Sequence, residues 1–426
     1  MEIQALACTD IGRVKPTNED SYLVDHQNGL YIVADGMGGH AAGEVASAMA
    51  VDEVKRFVER HRAKIDQFVQ TGEGRERVQE VMEHAVRHAG QMIHQVGQNN
   101  RDKRGMGTTV SALLLTPRRG FVAHVGDSRV YLVRQDEAVQ LTEDHSLINE
   151  LIKRGKLRPE DAAHAPYRNA VTRAVGVHAD VQVDTMSFEL AAGDRFLICS
   201  DGLIEYLQSI GELADLLRKH SFNDAPRALI ELSNARGGKD NITALLVHFA
   251  DAGPTTSPSQ EDIALKLAAL RRMPLFQHLE YVELMAVLNV CRLGSYAAGD
   301  QIFKEGDPGT EMFVVLAGLV RILKGDVELA QVAKGGHFGE MSIMDKAPRS
   351  AAATAQAPTT LIVVGRRALF RLMRENKDIA VKLLWCFVQV LNQRLRITND
   401  DLKQALAPLE LDTMFNDEDD ASLTGT

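Results

Sequence analysis

The chain has 426 residues, of which 45% are hydrophobic and 25% charged, and its formal net charge is -10. This composition is typical of an ordered globular protein with two or three domains, and it excludes a fibrous or largely disordered chain. The acidic balance argues against nucleic acid or an anionic membrane as a main partner.

The N-terminus and the cysteines indicate the compartment. Residues Met1 to Asp10 carry no basic segment followed by an apolar core, and no run approaches the roughly 18 continuous apolar residues of a membrane span. The four cysteines are far apart and form no CxxC pair, which indicates neither a disulfide framework nor a structural zinc site. We therefore expect a cytoplasmic protein without a membrane partner.

The first 250 residues alternate strand-like apolar runs with two amphipathic helices, predicted over Glu44–Val58 and Val78–Val96. Four acidic clusters lie beside glycine or at the ends of apolar runs: Asn18-Glu19-Asp20, Asp35-Gly36-Met37-Gly38-Gly39, Ser200-Asp201-Gly202 and Asp240-Asn241. A single Asp-Gly step is typical of a turn. Carboxylates that follow strands, as Asp127 also does, would collect along the edges of one sheet system. Such a collection is typical of a hard divalent metal site.

A linker is predicted over residues 251–262, where glycine, two prolines and several Ser and Thr interrupt the pattern. Beyond it, a helical stretch over Ile263–Leu293 precedes short strands punctuated by glycine, which predict a small barrel. From Arg366 the pattern is helical again. One apolar stripe there either covers the barrel or pairs two subunits as a homodimer, and it consists of Ile379, Leu383, Leu384, Phe387, Val390 and Leu391. The acidic tail, residues 407–426, is predicted to be disordered.

The acidic clusters suit the hydrolysis of phosphate monoesters, a very slow reaction in water. Two Mg²⁺ or Mn²⁺ ions would lower the pKa of an attacking water and clamp the phosphoryl oxygens. A cationic fork would then hold the phosphate, and a guanidinium does this through two donors. Arg13 stands just ahead of the first acidic cluster.

Seven motifs resemble, in order, those of the metal-dependent type 2C Ser/Thr protein phosphatases of bacterial type. The likeness covers about residues 3–249. The motifs are Arg13 with Asn18-Glu19-Asp20, Val33-Ala34-Asp35-Gly36-Met37-Gly38-Gly39, Met106-Gly107-Thr108-Thr109, Val125-Gly126-Asp127-Ser128-Arg129, Leu141-Thr142-Glu143-Asp144-His145, Cys199-Ser200-Asp201-Gly202-Leu203 and Lys239-Asp240-Asn241-Ile242-Thr243.

This resemblance implies an α+β fold, an antiparallel β-sandwich flanked by helices, and two divalent ions with a third, weaker one in bacterial members. Asp35 would bridge the two ions and Gly36 would offer its carbonyl. Asp127 would be a ligand of the third, weaker ion, shared with Asp201. Arg13, Asp35 and Asp201 are the residues expected to act in catalysis, with Arg13 gripping the phosphate. The full set of implied metal-site residues is Glu19, Asp20, Asp35, Gly36, Asp127, Asp201 and Asp240.

The general acid stays open. The animal enzymes have a histidine after the Asp-Gly step, and this chain has Met37, as many bacterial members do. His40 is either the acid or an ordinary surface residue, and a metal-bound water is the other candidate. His145 is expected to be structural and to hold a loop.

A second site is indicated between Phe338 and Ala353, where a glycine turn, a helix start and Arg349 form either a small anion site or an ordinary turn. The stretch resembles the phosphate-binding cassette of cyclic-nucleotide-binding domains of the catabolite-activator type, and segments 296–307 and 312–318 resemble that family's earlier strands. The likeness implies a β-roll or jelly-roll barrel with helices. Arg349 would pair with the cyclic phosphate, Glu340 would bind the ribose hydroxyl, and the remaining cradle would be Gly339, Met341, Ser342, Ser350 and Ala351.

The predicted map is therefore a phosphatase domain over 1–250, a linker over 251–262, a nucleotide domain over 263–406 and a tail over 407–426. The leading hypothesis is a Mg²⁺- or Mn²⁺-dependent Ser/Thr phosphatase that acts on a phosphoprotein and is regulated in cis by a cyclic nucleotide. Ser350 after Pro-Arg favours cyclic AMP mildly over cyclic GMP. Two alternatives are a constitutive phosphatase whose second domain dimerises or localises it, and a non-catalytic nucleotide-dependent binding module. The substrate, the direction of regulation and the oligomeric state stay open.

Overall fold

A computed structural model describes residues 2–38, 42–135, 137–165, 167, 169–251, 258–341, 343 and 347–416. The chain forms two compact units that divide between Ala264 and Leu265. The described helices include none that is both long and apolar enough to cross a membrane.

The first unit contains two antiparallel sheets whose strands come from distant parts of the sequence. One sheet has the order β1 (Glu2–Asp10), β11 (Ile242–Asp251), β10 (Asp194–Cys199), β7 (Arg129–Arg134) and β8 (Glu137–Gln140). The other has the order β2 (Asp20–Asp25), β3 (Leu30–Met37), β5 (Val110–Leu115), β6 (Arg119–Val125) and β9 (Asp184–Glu189), with β4 (Gly107–Thr108) beside β3.

The helices of this unit cover the outer faces of the sheets. They are α1 (Gly43–Arg60), α2 (Arg62–Thr71), α3 (Arg75–Asn99), α4 (Leu147–Lys153), α5 (Asp201–Ile204), α6 (Ile210–Lys219) and α7 (Ala225–Arg236). Short 3-10 turns lie at Arg101–Lys103 and Pro159–His164. The predicted helices over 44–58 and 78–96 correspond to α1 and α3, each extended by a few residues at both ends.

Strand β3 illustrates why both faces of a sheet are buried. Leu30 and Ile32 join the apolar cluster formed with α1, α2 and α3. Tyr31 and Val33 alternate to the opposite face, where β3 contacts β10 and β11 of the other sheet. Because successive side chains of a strand point to opposite faces, a strand with an apolar core on each side is apolar throughout. The predicted β-sandwich flanked by helices is confirmed.

The second unit is a small barrel of two four-stranded antiparallel sheets. Their orders are β12 (Cys291–Tyr296), β19 (Thr359–Gly365), β14 (Glu311–Ala317) and β17 (His337–Phe338), and β13 (Gln301–Phe303), β18 (Ala352–Ala355), β15 (Leu319–Lys324) and β16 (Val327–Ala333). Residues of both sheets, among them Phe313, Leu361 and Val320, share one core. The predicted barrel is confirmed.

Further helices accompany the barrel: α8 (Gln260–Arg271), α9 (Tyr281–Asn289), α10 (Arg366–Glu375) and α11 (Lys377–Asn416). Helix α8 begins inside the predicted linker because Ser259 and Asp262 cap it reciprocally: each backbone N–H donates to the other side chain, at 3.1 and 3.0 Å. The predicted helical stretch over 263–293 is interrupted between residues 271 and 281, where Pro274 cannot continue a helix, and its last residues belong to β12.

The C-terminal predictions also need correction. Helix α11 continues to Asn416, so residues 407–416 are helical rather than disordered, and residues 417–426 lie outside the described part. The predicted apolar stripe divides between two faces of α11. Leu383 and Phe387 are buried, whereas Leu384 and Leu391 are 53% and 56% exposed. Neighbouring helical residues point about 100° apart, so adjacent positions such as 383 and 384 cannot share a narrow face.

Candidate metal centre and nucleotide pocket

The acidic clusters converge at one edge of the sandwich. Asp20 and Asp35 are cross-strand neighbours on β2 and β3. Asp201 lies two residues after β10, and Asp240 lies two residues before β11, which pairs with β10. Both sheets therefore deliver carboxylates to the same edge, as expected from the sequence.

Two glycines allow the chain segments of this edge to touch. A Cβ added to Gly202 would lie 2.1 Å from the carbonyl oxygen of Asn241. A Cβ added to Gly36 would lie 2.1 Å from the carbonyl oxygen of Gly43 and 2.6 Å from that of Glu19. Contacts under 3 Å leave no room for a side chain, so glycine is required for the approach of Asp201 to Asp240 and of Asp35 to Glu19.

Asp20 is oriented by a chain of hydroxyl groups. Its Oδ2 accepts from Ser200 Oγ at 2.8 Å and from Thr243 Oγ1 at 2.6 Å. Thr243 Oγ1 is also 2.7 Å from Thr9 Oγ1, and since the Thr243 proton points to Asp20, Thr9 is the donor of that pair. These bonds fix one carboxylate oxygen and leave the other, Oδ1, without a partner among the described residues.

The carboxylates lie close together although their negative charges repel one another. Burial, followed by the neighbouring Asp20 and Asp201 charges, raises the pKa of Asp35 well above its usual value. Burial raises the pKa of Asp20 to about 7, although hydrogen bonds from Thr243 and Ser200 oppose the shift. Burial and Asp240 also raise the pKa of Asp201, whose side chain forms a hydrogen bond with that of Asp35. Like charges packed this closely call for a cation.

The donor set fits hard divalent ions. The Oδ1 atoms of Asp20 and Asp201 are buried and have no hydrogen-bond partner within the described part of the chain, so both are available as ligands. No three His, Cys, Asp or Glu side chains among the described residues converge closely enough to hold an ion by themselves. Main-chain carbonyls and waters, which hard ions accept readily, would therefore have to complete the coordination.

Glu19 and Asp240 flank the cluster. Burial raises the pKa of Glu19, whose carboxylate accepts from the backbone of Gly43. Asp240 is paired with Lys15, whose Nζ lies 2.6 Å from Asp240 Oδ1. Sequence reasoning missed Lys15, although it lies between Arg13 and the first acidic cluster and is a cation of the same loop.

Arg13 is exposed and belongs to the outer side of this loop. Its backbone N–H donates to Gly238 O at 2.6 Å, and its charge contributes to lowering the pKa of Asp10, after hydrogen bonds from Asn234 and Gly12. Lys15, by contrast, interacts electrostatically with Asp35 and Glu19 as well as with Asp240. The predicted phosphate-gripping role of Arg13 stays a prediction.

Asp127 follows β6 and lines a cavity of about 320 Å³ beside the acidic edge. Burial, with the Asp201 charge, raises the pKa of Asp127 to about 7. Other lining residues include Asp201, Asn169 and the ion pair of Arg129 with Asp144, whose two hydrogen bonds measure 2.8 and 2.5 Å. The cavity gives a small polar ligand access to Asp127 and Asp201 together. His40 and Gly39 lie outside the described residues.

In the second unit, Arg349 is the central residue of the predicted nucleotide site. Its side chain is buried, and its guanidinium carbon lies 4.1 Å from the ring centroid of Phe303. Nη2 donates to the carbonyl of Glu311 at 2.7 Å, and Nη1 donates to that of Gly339 at 3.2 Å. A buried guanidinium that binds main-chain carbonyls suits an anionic ligand, which forms stronger, charge-assisted bonds with the same donors.

Among the other predicted cradle residues, Gly339 lies against Arg349. Gly339 has φ +76°, a conformation that favours glycine, and an added Cβ there would lie 2.7 Å from Arg349 Nη1. Glu340 is partly buried, Met341 and Ser350 are exposed, and Ala351 is buried. Ser342 lies outside the described residues.

Known proteins resemble both units. A family model described as protein phosphatase 2C matches residues 13–247, and one described as cyclic nucleotide-binding domain matches residues 293–376. Protein phosphatase PhpP of Streptococcus pneumoniae is 39% identical over 252 residues, which cover 58% of this chain and 97% of that protein. Serine/threonine phosphatase stp of Listeria welshimeri is 39% identical over 244 residues, covering 56% and 93%.

Two solved structures extend the comparison. The Mycobacterium tuberculosis serine/threonine phosphatase PstP/Ppp is 33% identical with a TM-score of 0.52, covering 58% of this chain and 99% of its own. The catalytic domain of PstP in complex with two manganese ions is 32% identical with a TM-score of 0.51, at 58% and 99% coverage. The chain therefore belongs to the protein phosphatase 2C family: it is a metal-dependent Ser/Thr protein phosphatase with a cyclic nucleotide-binding domain in its C-terminal region.

Proposed function

We propose that a cyclic nucleotide, with cyclic AMP favoured over cyclic GMP, binds the C-terminal domain and sets the rate at which the phosphatase domain of the same chain hydrolyses phosphoserine and phosphothreonine. The observation that carries this proposal is the buried guanidinium of Arg349, whose Nη1 and Nη2 donate to the main-chain carbonyls of Gly339 and Glu311. A sensor requires such a replaceable set of contacts.

In the phosphatase domain, Glu19, Asp20, Asp35, Asp127, Asp201 and Asp240 would hold two or three Mn²⁺ or Mg²⁺ ions together with the Gly36 carbonyl. Such ions supply a water of lowered pKa and neutralise the phosphoryl oxygens. Ser200 and Thr243 orient Asp20, so its Oδ1, which has no partner among the described residues, is already in position for an ion. This preorganisation reduces the reorganisation that binding would otherwise require.

In the nucleotide domain, the cyclic phosphate would replace the carbonyls of Glu311 and Gly339 as the acceptor of the Arg349 guanidinium. The ribose hydroxyl would bind Glu340, and the amides near Met341, Ser342, Ser350 and Ala351 would complete the cradle. Gly339 belongs to the same turn as Glu340, so a movement of Arg349 away from the Gly339 carbonyl releases that turn.

A second contact connects this turn to the C-terminal helices. Arg366, the first residue of α10, donates from Nη1 to the Ile343 carbonyl at 2.6 Å and from its backbone N–H to Thr310 at 2.8 Å. A shift of the cassette therefore changes the position of α10 directly. Helix α11 in turn pairs with α9 through Lys382 and Glu283 at 2.7 Å. The coupling requires only that the nucleotide favour one helix arrangement by about 1–3 kcal/mol.

The first test is phosphopeptide hydrolysis by the full chain in Mn²⁺ during titrations with cyclic AMP and cyclic GMP. A saturable change in rate supports regulation, and the lower half-saturating concentration identifies the preferred base. A constant rate, together with nucleotide binding measured by calorimetry, favours the constitutive phosphatase whose second domain dimerises or localises it. No hydrolysis at all favours the binding-module alternative.

The exposed apolar residues of α11 make a homodimer through the C-terminal helices part of this proposal. Val381, Leu384, Val388, Leu391 and Leu395 are each at least half exposed and recur at alternating steps of three and four residues. That spacing is the one that pairs helices in coiled coils. Sedimentation equilibrium of the full chain and of Leu384→Lys would test it, since the substitution should leave only monomer.

A further inference from the structure

His145 lies directly beneath the turn that carries Asp127. It is buried, with 5% of its surface exposed. Its backbone N–H donates to the Gly126 carbonyl at 2.7 Å, and its ring Nδ1 accepts from the Gly126 N–H at 3.1 Å. One residue therefore binds both polar backbone groups of Gly126 and fixes the orientation of the peptide bonds on either side of it.

Gly126 has a conformation that needs this support. Its φ is +112°, and an added Cβ would lie 2.5 Å from Thr109 Cγ2. On the other side of Asp127, Ser128 Oγ is 2.6 Å from Thr109 Oγ1, and Thr109 Oγ1 also accepts from the Asp35 N–H at 2.9 Å. Asp127 is thus held between two fixed neighbours. Thr109 anchors Ser128, and His145 anchors Gly126.

A further residue fixes the histidine ring. Because Nδ1 accepts from a backbone N–H, the ring proton is on Nε2, which lies 3.0 Å from Asp184 Oδ2. Arg173 Nη1 donates to the other oxygen of Asp184 at 2.8 Å. This is the usual arrangement in which a carboxylate selects the tautomer and the orientation of a histidine.

We propose that His145 is a positioning residue for Asp127: through Nδ1 it holds Gly126, and thereby keeps the Asp127 carboxylate directed into the cavity it shares with Asp201, where the weakest of the divalent ions would bind. The inference rests on the proposed assignment of Asp127 as a metal ligand. It goes beyond a loop-holding role, because it assigns a function to one ring atom of the histidine.

Substitution of His145 by asparagine or by glutamine separates the roles of its two ring nitrogens. Asparagine keeps an acceptor close to the position of Nδ1 and lacks a group at Nε2, whereas glutamine reaches the position of Nε2 and lacks the Nδ1 acceptor. Calorimetric titration of the full chain with Mn²⁺ resolves tight and weak sites. We expect His145→Gln to weaken the weak site by about 10-fold or more and to leave the tight sites unchanged, since loss of an outer-shell partner typically costs 10- to 100-fold. His145→Asn should retain most of the weak-site affinity.

The proposal would be overturned if both variants lost weak-site affinity equally and each loss followed the fall in melting temperature. His145 would then be only a structural residue. Asp127→Asn distinguishes this failure from failure of the ligand assignment, because a weak site that survives Asp127→Asn means that Asp127 is no ligand. Should either His145 variant fail to fold, Asp184→Ala at a 42% exposed side chain removes the carboxylate that keeps the ring proton on Nε2. Arg173 Nη1, which lies 3.1 Å from Nε2, can then donate to that atom, so that Nδ1 no longer accepts from Gly126. Weakened Mn²⁺ binding confined to the weak site supports the proposal, and unchanged binding contradicts it.

Discussion

Lys15 forms an ion pair with Asp240, with 2.6 Å between Nζ and Oδ1, at the edge where the acidic residues gather. Burial lowers the pKa of Lys15, but the hydrogen bond and the charge of Asp240 outweigh it, so the pKa is raised and the side chain is a cation at neutral pH. A divalent ion bound by Asp240 would compete with this ammonium group for the same carboxylate. Lys15 also interacts electrostatically with Asp35 and Glu19, so its charge would attract a phosphoryl group held by ions at this edge.

Lys15→Gln should therefore affect metal and substrate in opposite directions. We expect Mn²⁺ to bind about 2- to 5-fold more tightly and the KM for a phosphopeptide to rise by a similar factor, because the pair is partly exposed and such pairs contribute at most about 1 kcal/mol. Calorimetry and steady-state kinetics measure the two effects. Lys64→Gln, which removes an exposed lysine from α2, controls for net charge.

The same substitution at Arg13 decides which cation holds the phosphate. If Arg13→Gln raises KM and Lys15→Gln does not, the grip belongs to Arg13 as the sequence predicts. The reverse result assigns it to Lys15.

Asp201→Asn should abolish turnover and preserve nucleotide binding. Asp201 is hydrogen-bonded to Asp35, and its buried Oδ1 has no partner in the described part of the chain, so the substitution removes a carboxylate oxygen from the centre of the proposed metal site. The loss of kcat should exceed the roughly 10- to 100-fold typical of an outer-shell residue. Calorimetric titration with cyclic AMP provides the control, and surviving turnover would contradict the metal assignment.

The metal-free protein should lose stability as the pH rises. Burial raises the pKa of Asp20 and of Asp127 to about 7, so the folded state binds more protons than the unfolded state between about pH 4 and 7. Their stabilising contribution is complete below the unfolded pKa and is lost as the pH rises through the folded pKa. In EDTA, the melting temperature of the phosphatase domain should fall from pH 5.5 to pH 8, and Mn²⁺ should reverse the trend.

Asp20→Asn checks the origin of that trend. Removal of the titrating group should flatten the dependence on pH without a change in its sign, because Asp127 and Asp35 remain. A melting temperature that rises with pH in EDTA would show that these carboxyl groups are not protonated in the folded protein.

Gly202→Ala should damage the active site through the backbone. The added Cβ would lie 2.1 Å from Asn241 O, so Asp201 and Asp240 would have to separate. Overpacking of this kind typically costs about 1–3 kcal/mol of stability. The matched control is Gly211→Ala in α6, where the nearest atom is 3.5 Å away and alanine should be neutral or stabilising. Thermal melts and Mn²⁺-dependent kinetics of the two variants make the comparison.

Arg366→Gln should uncouple nucleotide binding from the change in phosphatase rate. It removes the Nη1 contact to the Ile343 carbonyl and keeps the backbone bond to Thr310. We expect cyclic AMP to bind within about 3-fold of the original affinity while its effect on phosphatase rate falls, because the proposed coupling is only about 1–3 kcal/mol. An unchanged response of the rate to cyclic AMP would show that Arg366 does not take part in the coupling.

Short sequence patterns predicted the barrel of the second unit and the convergence of the acidic clusters at one sheet edge, and the family resemblance implied the sandwich of the first unit. Core strands such as β5 are apolar over most of their length, the two main helices have clear periodicity, and each acidic cluster lies at the end of a strand or within two residues of one. Local spacing determines these features, so they can be predicted without knowledge of the rest of the chain. The glycine at 339 and the buried arginine at 349 likewise belong to one short segment.

Only the tertiary structure determined which side chains contact one another. Ser200 and Asp20 are 180 residues apart, and Thr243 and Asp20 are 223 apart, so no local pattern links them. The same holds for the choice between Lys15 and Arg13 as the cation facing Asp240, and for the contact of His145 with Gly126. Helix periodicity indicated that α11 is amphipathic, but only its packing determined that Leu383 is covered and Leu384 exposed. A sequence specifies which groups are available, and the long-range pairing of strands determines which of them meet.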